Sequence, residues 1–199
     1  MLKSTAMALV LLAGFTRVVG PVAQLPAAGG AKPPRTLRLY VFDCGLINVN
    51  RAGTERYKVT PEEVGETRFA VPCFLVAHPK GTLMWDLGIV PDSTIEARAQ
   101  GGRGNPAVSS AAVVTRTLKS QLSEIGYRPQ DVTYFAFSHA HVDHNANANE
   151  FAASTWLART AERVWMWQEN NDRVQPSFFS ELKNTKKIGR ASCRERVCQ

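Results

Sequence analysis

Hydrophobic residues in the first half of the chain fall into short runs bounded by polar residues, and in the first run, from Thr36, they alternate with polar residues at the two-residue period of β-strands before the run becomes fully apolar. This pattern predicts strands over Thr36 to Ile47, Arg68 to His78 and Thr82 to Asp86, with a glycine turn closing the first strand. Pro79-Lys80-Gly81 has the composition of a hairpin turn between the second and third strands. Residues 48–66 are polar with scattered charges, so they are predicted to form a loop.

The second half of the chain alternates segments of helical and strand periodicity. The predicted elements are a helix (108–125), a strand (132–138), a short helix (145–151), a strand (154–158) and a helix (161–170). Gly126 is placed to end the first helix, and Thr160 is placed to cap the last. Residues 89–106 are polar and glycine-rich and are predicted to be a connection. The alternation indicates an α/β fold, with a sheet covered by helices on one face.

Three of the four histidines lie within six positions, in Ser138-His-Ala-His-Val-Asp-His144, directly after a predicted strand. Side chains alternate along extended chain, so His139 and His141 point the same way and can bind one ion. Asp143 and His144 follow where the chain should turn and can face a second position nearby. Imidazoles with a carboxylate are the mixed ligands that zinc and similar ions accept. We therefore predict a metal site with these four residues as ligands and with Asp143 as the candidate catalytic residue.

The alternative explanation is that these four residues are solvated loop residues without a ligand role. It is disfavoured because four side chains of ligand type lie together at one strand end. The fourth histidine, His78, lies at the edge of the predicted hairpin turn and is expected to be exposed rather than a ligand. An aspartate in the position of Asp86, at the end of an apolar strand, is usually only a turn former.

The net charge of the chain does not indicate nucleic-acid binding. The chain carries +7, but the first 31 residues contribute +2 and the last 12 contribute +2, which leaves +3 for the residues between them. That middle segment has no basic run and no interleaved aromatic stripe, so no nucleic-acid partner is expected. With 199 residues and 44% apolar content, the chain is long enough for one globular domain.

The first 31 residues have the pattern of a secretory leader. Lys3 precedes an uncharged run, residues 4–16, and a stretch rich in small residues and proline follows. Arg17 interrupts the apolar run before it reaches the about 18 residues that a membrane anchor needs. We therefore expect a periplasmic or secreted protein without a stable membrane anchor.

The spacing His-x-His-x-Asp-His after an apolar strand resembles the metal-binding signature of the metallo-beta-lactamase superfamily. From about residue 37 to 187 the chain looks like the secreted N-acyl homoserine lactonase branch of that superfamily. The segments that carry this resemblance are Leu39-Tyr-Val-Phe-Asp-Cys-Gly45, Val71-Pro-Cys-Phe-Leu-Val-Ala-His-Pro-Lys-Gly81, Trp85-Asp-Leu-Gly88, Ile125-Gly-Tyr-Arg-Pro-Gln-Asp-Val132 and Ser138-His-Ala-His-Val-Asp-His144.

This resemblance implies the N-terminal part of an αββα sandwich and a small-molecule ester or lactone substrate. His139 and His141 would hold one zinc ion, and Asp143 and His144 would help to hold a second. A hydroxide bound by the two zinc ions would then open a lactone ring. Asp86 would support the ligands from behind by fixing an imidazole in one tautomer, although Leu87 departs from the small polar residue common there.

Two other functions stay open at this point. One is a related hydrolase acting on another ester, a thioester or a β-lactam; His144 disfavours the β-lactam because one major group of true metallo-beta-lactamases lacks that histidine. The other is a non-catalytic zinc-binding domain, in which protein ligands would fill every coordination position and leave none open to water.

Residues 188–199 resemble the translation of a sequencing adapter, so the natural part of this chain is expected to stop near Lys187. The resemblance to the superfamily implies that further metal ligands lie in later gene sequence that this chain does not include. We expect the 199-residue chain to bind zinc poorly, to be inactive and to aggregate. Cys44 and Cys73 lie in apolar strands, which favours two buried thiols over a disulfide.

Overall fold

A computed structural model describes residues 30–190 of the chain. Residues 1–29 of the predicted leader and residues 191–199 of the predicted adapter tail lie outside this range. The described strands are β1 (Arg38–Asn48), β2 (Arg68–His78), β3 (Gly81–Trp85), β4 (Ala112–Val113), β5 (Tyr134–Ala136), β6 (Thr155–Ala158) and β7 (Ile188–Arg190). β7 contains the first three residues of the predicted tail, whose foreign origin stays a prediction.

Short helices connect these strands. They are α1 (Arg51–Arg56), α2 (Pro61–Val64), α3 (Asp92–Ala99), α4 (Leu118–Glu124), α5 (Val142–Asn145) and α6 (Thr160–Met166). Four 3-10 turns add to them, at Pro129–Asp131, Ala148–Phe151, Pro176–Phe178 and Ser180–Leu182. Within residues 30–190, no helix has the length and apolar character needed to cross a membrane.

All seven strands form one mixed sheet in the order β4-β1-β2-β3-β5-β6-β7. β4, β1, β2 and β3 pair antiparallel, whereas β3, β5, β6 and β7 pair parallel. Parallel strands present their carboxyl ends at the same edge of a sheet, where α/β proteins place their sites. The predicted α/β class is confirmed, and the histidine-rich stretch begins at this edge, directly after β5.

The helices and turns cover one face of the sheet. Alternate residues of β2, among them Cys73, Leu75 and Ala77, are fully buried, and Leu118 and Leu122 of α4 belong to the same hydrophobic core. On the other face large apolar side chains stay exposed: Leu39, Val41, Trp85 and Tyr134. The two faces of the described sheet therefore differ, as the period-two alternation requires.

Several predicted boundaries are wrong. The helix predicted over 108–125 is limited to α4, because Ala112 and Val113 pair with β1 instead. Gly45 does not close β1 but lies at a register shift inside it, with φ of 126°. Gly126, with φ of 80°, follows the end of α4 as predicted.

Other differences concern the loops and the cap of α6. α1 and α2 fill the loop predicted over 48–66; α2 begins with a capping box between Thr60 and Glu63, a signal visible in the sequence. α3 lies within the connection predicted over 89–106. Arg159 rather than Thr160 precedes α6, which ends at Met166.

Cys44 and Cys73 form a disulfide between β1 and β2, with Cα atoms 5.8 Å apart. The preference for two thiols is therefore wrong. Antiparallel pairing of β1 with β2 brings the two residues within disulfide distance although they are 29 positions apart in sequence.

Candidate metal centre

The turn after β3 supplies the first part of the site. Asp86 continues the β3–β5 pairing by donating its N–H to the carbonyl of Ala136 at 3.0 Å. Its φ of 59° is left-handed, a conformation that aspartate tolerates better than most residues. The next N–H, that of Leu87, donates to the carbonyl of His144 at 2.8 Å. The β3 turn and the histidine-rich stretch are thus held together through their backbones.

The carboxylate of Asp86 is buried and uses both oxygens on that stretch. Oδ1 accepts the N–H of Ser138 at 2.6 Å, and Oδ2 lies 3.0 Å from Nδ1 of His144. One side chain therefore fixes both the start of the stretch and the orientation of its last imidazole. With Nδ1 held in this way, Nε2 is the nitrogen of His144 that remains for another partner.

The four predicted ligands lie together at the carboxyl end of β5. Donor atoms of His139, Asp143 and His144 all lie within 4.8 Å of one another. His141 is outside that trio, but its Nδ1 lies 2.8 Å from Nε2 of His139. His78, by contrast, is the exposed last residue of β2 and pairs with Gly81 at the start of β3, the opposite end of β3 from Asp86, as expected for a turn residue.

Ser138, His144 and Asp86 have the residue types of a serine-hydrolase triad but not its geometry. The Ser138 hydroxyl and the Asp86 carboxylate both contact Nδ1 of His144, each at 3.0 Å. A triad requires the two partners on different ring nitrogens, so that the base can take the hydroxyl proton while the acid holds the other nitrogen. The contacts instead describe an imidazole anchored on one side, with Nε2 3.2 Å from Asp143 Oδ2.

Burial and charge set the protonation of these groups. Burial lowers the pKa of His139, and the rings of His144 and His141 lower it further. Burial raises the pKa of Asp143, but the hydrogen bond and charge of His144 outweigh burial, so that this pKa lies below its ordinary value. At neutral pH His139 is therefore a neutral imidazole and Asp143 a carboxylate, the forms in which both bind metals.

His144 is cationic in this arrangement. Burial disfavours its charged form, but hydrogen bonds to Asp143 and Asp86 outweigh burial and raise the pKa to about 9. Two carboxylates thus hold a positive charge between them. A metal cation bound here would take the place of the Nε2 proton, because histidine binds metals as the neutral imidazole. The donor set of imidazoles and one carboxylate fits zinc, whose ligands lie about 2 Å from the ion.

The sequence did not identify the neighbours that hold this stretch in place. Ser138 contacts the Nδ1 atoms of His139 and His144 at 3.3 and 3.0 Å. Glu162 of α6 accepts the N–H of Ala140, and Asn145 donates to the carbonyl of the same residue. A capping or periodicity signal marks none of these roles, because each depends on how separate segments meet.

Comparison with known proteins agrees with this geometry. Residues 67–181 match the sequence profile of the metallo-beta-lactamase superfamily. The N-acyl homoserine lactonase AttM of Azorhizobium caulinodans is 25% identical over 126 residues, which are 63% of this chain and 47% of that protein. The chain thus spans about half the length of the curated relatives it matches.

Solved structures show the same fold. One is an N-acyl homoserine lactone hydrolase with the product N-hexanoyl-L-homoserine at its catalytic metal center; it has a TM-score of 0.53, 18% identity and coverage of 78% of this chain and 60% of that chain. Another is AidC, a dizinc quorum-quenching lactonase, with a TM-score of 0.51, 18% identity and coverage of 83% and 62%. At these identities the likeness establishes the arrangement of the sheet and helices.

Proposed function

This chain belongs to the metallo-beta-lactamase superfamily, and from that premise we propose that the protein is a zinc-dependent hydrolase that opens lactone rings of the N-acyl homoserine lactone type. The observation that carries the proposal is the cluster of His139, His141, Asp143 and His144 at the carboxyl end of β5, with the Asp86 carboxylate behind it. The similarity to AttM supports the choice of lactone as substrate.

The chain's own residues have distinct roles in this proposal. His139 and His141 would hold one zinc ion, and Asp143 and His144 would hold the second. The bound ions supply Lewis acidity toward the carbonyl and lower the pKa of water. Asp86 orients His144 by accepting from Nδ1, so that Nε2 faces the cluster. Asp143, whose lowered pKa keeps it ionised, is both a ligand and the candidate catalytic residue.

We assign this activity to a protein of the full length of the relatives, of which this chain spans about half. Residues 30–190 offer these four candidate ligands, which is two for each ion, whereas catalytic zinc sites commonly have three protein ligands. We therefore expect the 199-residue chain by itself to bind zinc weakly and to turn over little substrate.

The test is a zinc count on the protein expressed from its complete gene, followed by a pH-stat assay against homoserine lactones and a β-lactam. Two zinc ions with release of acid from the lactone support the proposal. Two zinc ions with β-lactam turnover alone indicate the related-hydrolase alternative, and two zinc ions without any turnover indicate a non-catalytic domain. A His139→Ala variant that keeps full zinc content and activity overturns the assignment of the site.

We also propose that the protein acts in the periplasm or is secreted. The leader-like pattern of the first 31 residues and the disulfide between Cys44 and Cys73 support this, because disulfides persist in oxidising compartments. Cell fractionation of the native host tests the proposal, and recovery of the protein in the cytoplasm alone would contradict it.

A further inference from the structure

Ala140, the residue between the first two histidines, has both of its backbone polar groups bound by side chains. Its N–H donates to Oε1 of Glu162 at 2.6 Å, and its carbonyl accepts from Nδ2 of Asn145 at 2.8 Å. Residues 137–141 lie in neither a helix nor a strand, and Ala140 is fully buried. Because neither backbone group can reach water, side chains must supply the missing partners.

The two side chains come from different elements. Asn145 ends α5, five positions after Ala140, and Glu162 lies in α6, 22 positions after it. Asn145 is fully buried, and among the described residues its Oδ1 has no hydrogen-bond partner. An unsatisfied buried amide oxygen costs free energy. An apolar side chain would fill the same space without that cost, so the contribution of this amide is its bond to Ala140.

α6 makes a second contact with the same stretch. The ring of Trp165 lies 5.8 Å from that of His141, with an angle of 56° between the ring planes. Glu162 and Trp165 are three positions apart and therefore lie on one face of the helix. That face holds the backbone before His141 through Glu162 and contacts the imidazole of His141 through Trp165. Both also line a shallow cavity beside His139 and His141.

We propose that Glu162 and Asn145 are positioning residues that fix the peptide between His139 and His141 and thereby set the metal affinity of the site. Neither needs to touch the metal. Imidazoles two positions apart can close on one ion only if the intervening peptide keeps its orientation, and these two bonds hold that peptide from opposite sides. The inference rests on the proposed metal-binding function, since it concerns the same site.

Zinc titration of the protein expressed from its complete gene, by calorimetry or against a chromophoric chelator, tests the inference. Glu162→Ala and Asn145→Leu are each expected to weaken zinc binding by about tenfold or more, the size of effect seen when partners of metal ligands are removed. Glu162→Gln keeps an oxygen that accepts the Ala140 N–H, so its affinity should stay within about threefold. Glu169→Ala is the matched control because Glu169 is exposed and lies beyond the end of α6.

The outcomes separate this inference from the function on which it rests. If the unmodified protein from the complete gene binds no zinc, or if its His139→Ala variant binds zinc equally well, the metal site itself is refuted. The positioning role is refuted, while the metal site stands, if His139→Ala loses zinc binding but Glu162→Ala does not. It is also refuted if Glu162→Gln lowers the zinc affinity as much as Glu162→Ala does. Should the alanine and leucine variants fail to fold, hydrogen exchange of the Ala140 amide decides: slow exchange supports its bond to Glu162, and exchange as fast as in an exposed loop overturns it.

Discussion

Among single residues, Asp86 contributes most to the geometry of the site, because its two carboxylate oxygens contact two different residues. Asp86 adopts a left-handed backbone conformation, and its carboxylate contacts Ser138 and His144. Because the carboxylate is buried, water does not substitute for either contact. The orientation of His144 therefore depends on an aspartate 58 positions away in sequence.

Replacing Asp86 with asparagine is expected to weaken zinc binding by about 10–100-fold. The two contacts use different carboxylate oxygens, and asparagine replaces one of these oxygens with an NH2 group that cannot accept, so either the contact to Ser138 or the contact to His144 is lost. Isothermal titration with zinc measures the change. Asp172→Asn is the matched control because that side chain is 93% exposed, and equal affinities for the two variants would contradict the role of Asp86.

At the scale of elements, side chains from one segment determine where another begins. Asp92, the first residue of α3, accepts the N–H groups of Leu118 and Lys119 at 2.8 Å each, and these groups open α4. The hydroxyl of Thr117 caps the same helix by accepting from Ser120. The start of α4 is therefore set by Thr117 together with a distant aspartate, which helical periodicity alone cannot reveal.

Substituting Asp92 with alanine is expected to lower the free energy of unfolding by about 1–3 kcal/mol, since the buried N–H of Leu118 would lose its acceptor. Thr117→Ala should cost about 0.5–2 kcal/mol through loss of the cap. Urea denaturation followed by circular dichroism measures both changes. A loss for Asp92→Ala no larger than that of an exposed Asp172→Ala control would contradict the interpretation.

The β1–β2 disulfide belongs to the same scale. It closes a loop between positions 29 apart, so the Cys44→Ala/Cys73→Ala double variant should be less stable by about 2–4 kcal/mol. Denaturation of the two proteins measures the difference. Peptide mapping of the unreduced protein provides a separate check: recovery of Cys44 and Cys73 as free thiols from an oxidising compartment would contradict the link.

At the scale of the whole molecule, the sheet is covered on one face and apolar on the other. Strand register aligns Leu39, Val76, Leu83 and Tyr134 in one row across β1, β2, β3 and β5. A second row joins Val41, Phe74 and Trp85. Contiguous apolar surface of this kind favours association and aggregation.

We therefore expect the 199-residue chain to bind a hydrophobic dye and to aggregate as its concentration rises. Val41→Lys should reduce both dye fluorescence and light scattering because it places a charge within the second row, at its β1 end. Val64→Lys makes the same chemical change on α2, away from the sheet, and is the matched control. Equal behaviour of the two variants would show that the exposed sheet face does not drive association.

Local sequence patterns were sufficient to predict the β2–β3 hairpin and to locate the region of the site. β2 has the predicted bounds because a continuous apolar run lies between Arg68 and His78 and a Pro-Lys-Gly turn follows it. The crowding of His139, His141, Asp143 and His144 was visible because these residues are adjacent in sequence. The helix predicted over 108–125 was too long, since an apolar repeat does not show that residues 112–113 pair with β1 instead.

Residues close together in the chain were enough to predict the α/β class, the strand before the histidine-rich stretch and the set of candidate ligands. The contacts of Asp86 with His144, of Glu162 and Asn145 with Ala140, and of Cys44 with Cys73 become visible only in the folded protein. Three of these contacts join residues 58, 22 and 29 positions apart. Such contacts depend on strand order, register and helix docking, which periodicity along one segment does not specify.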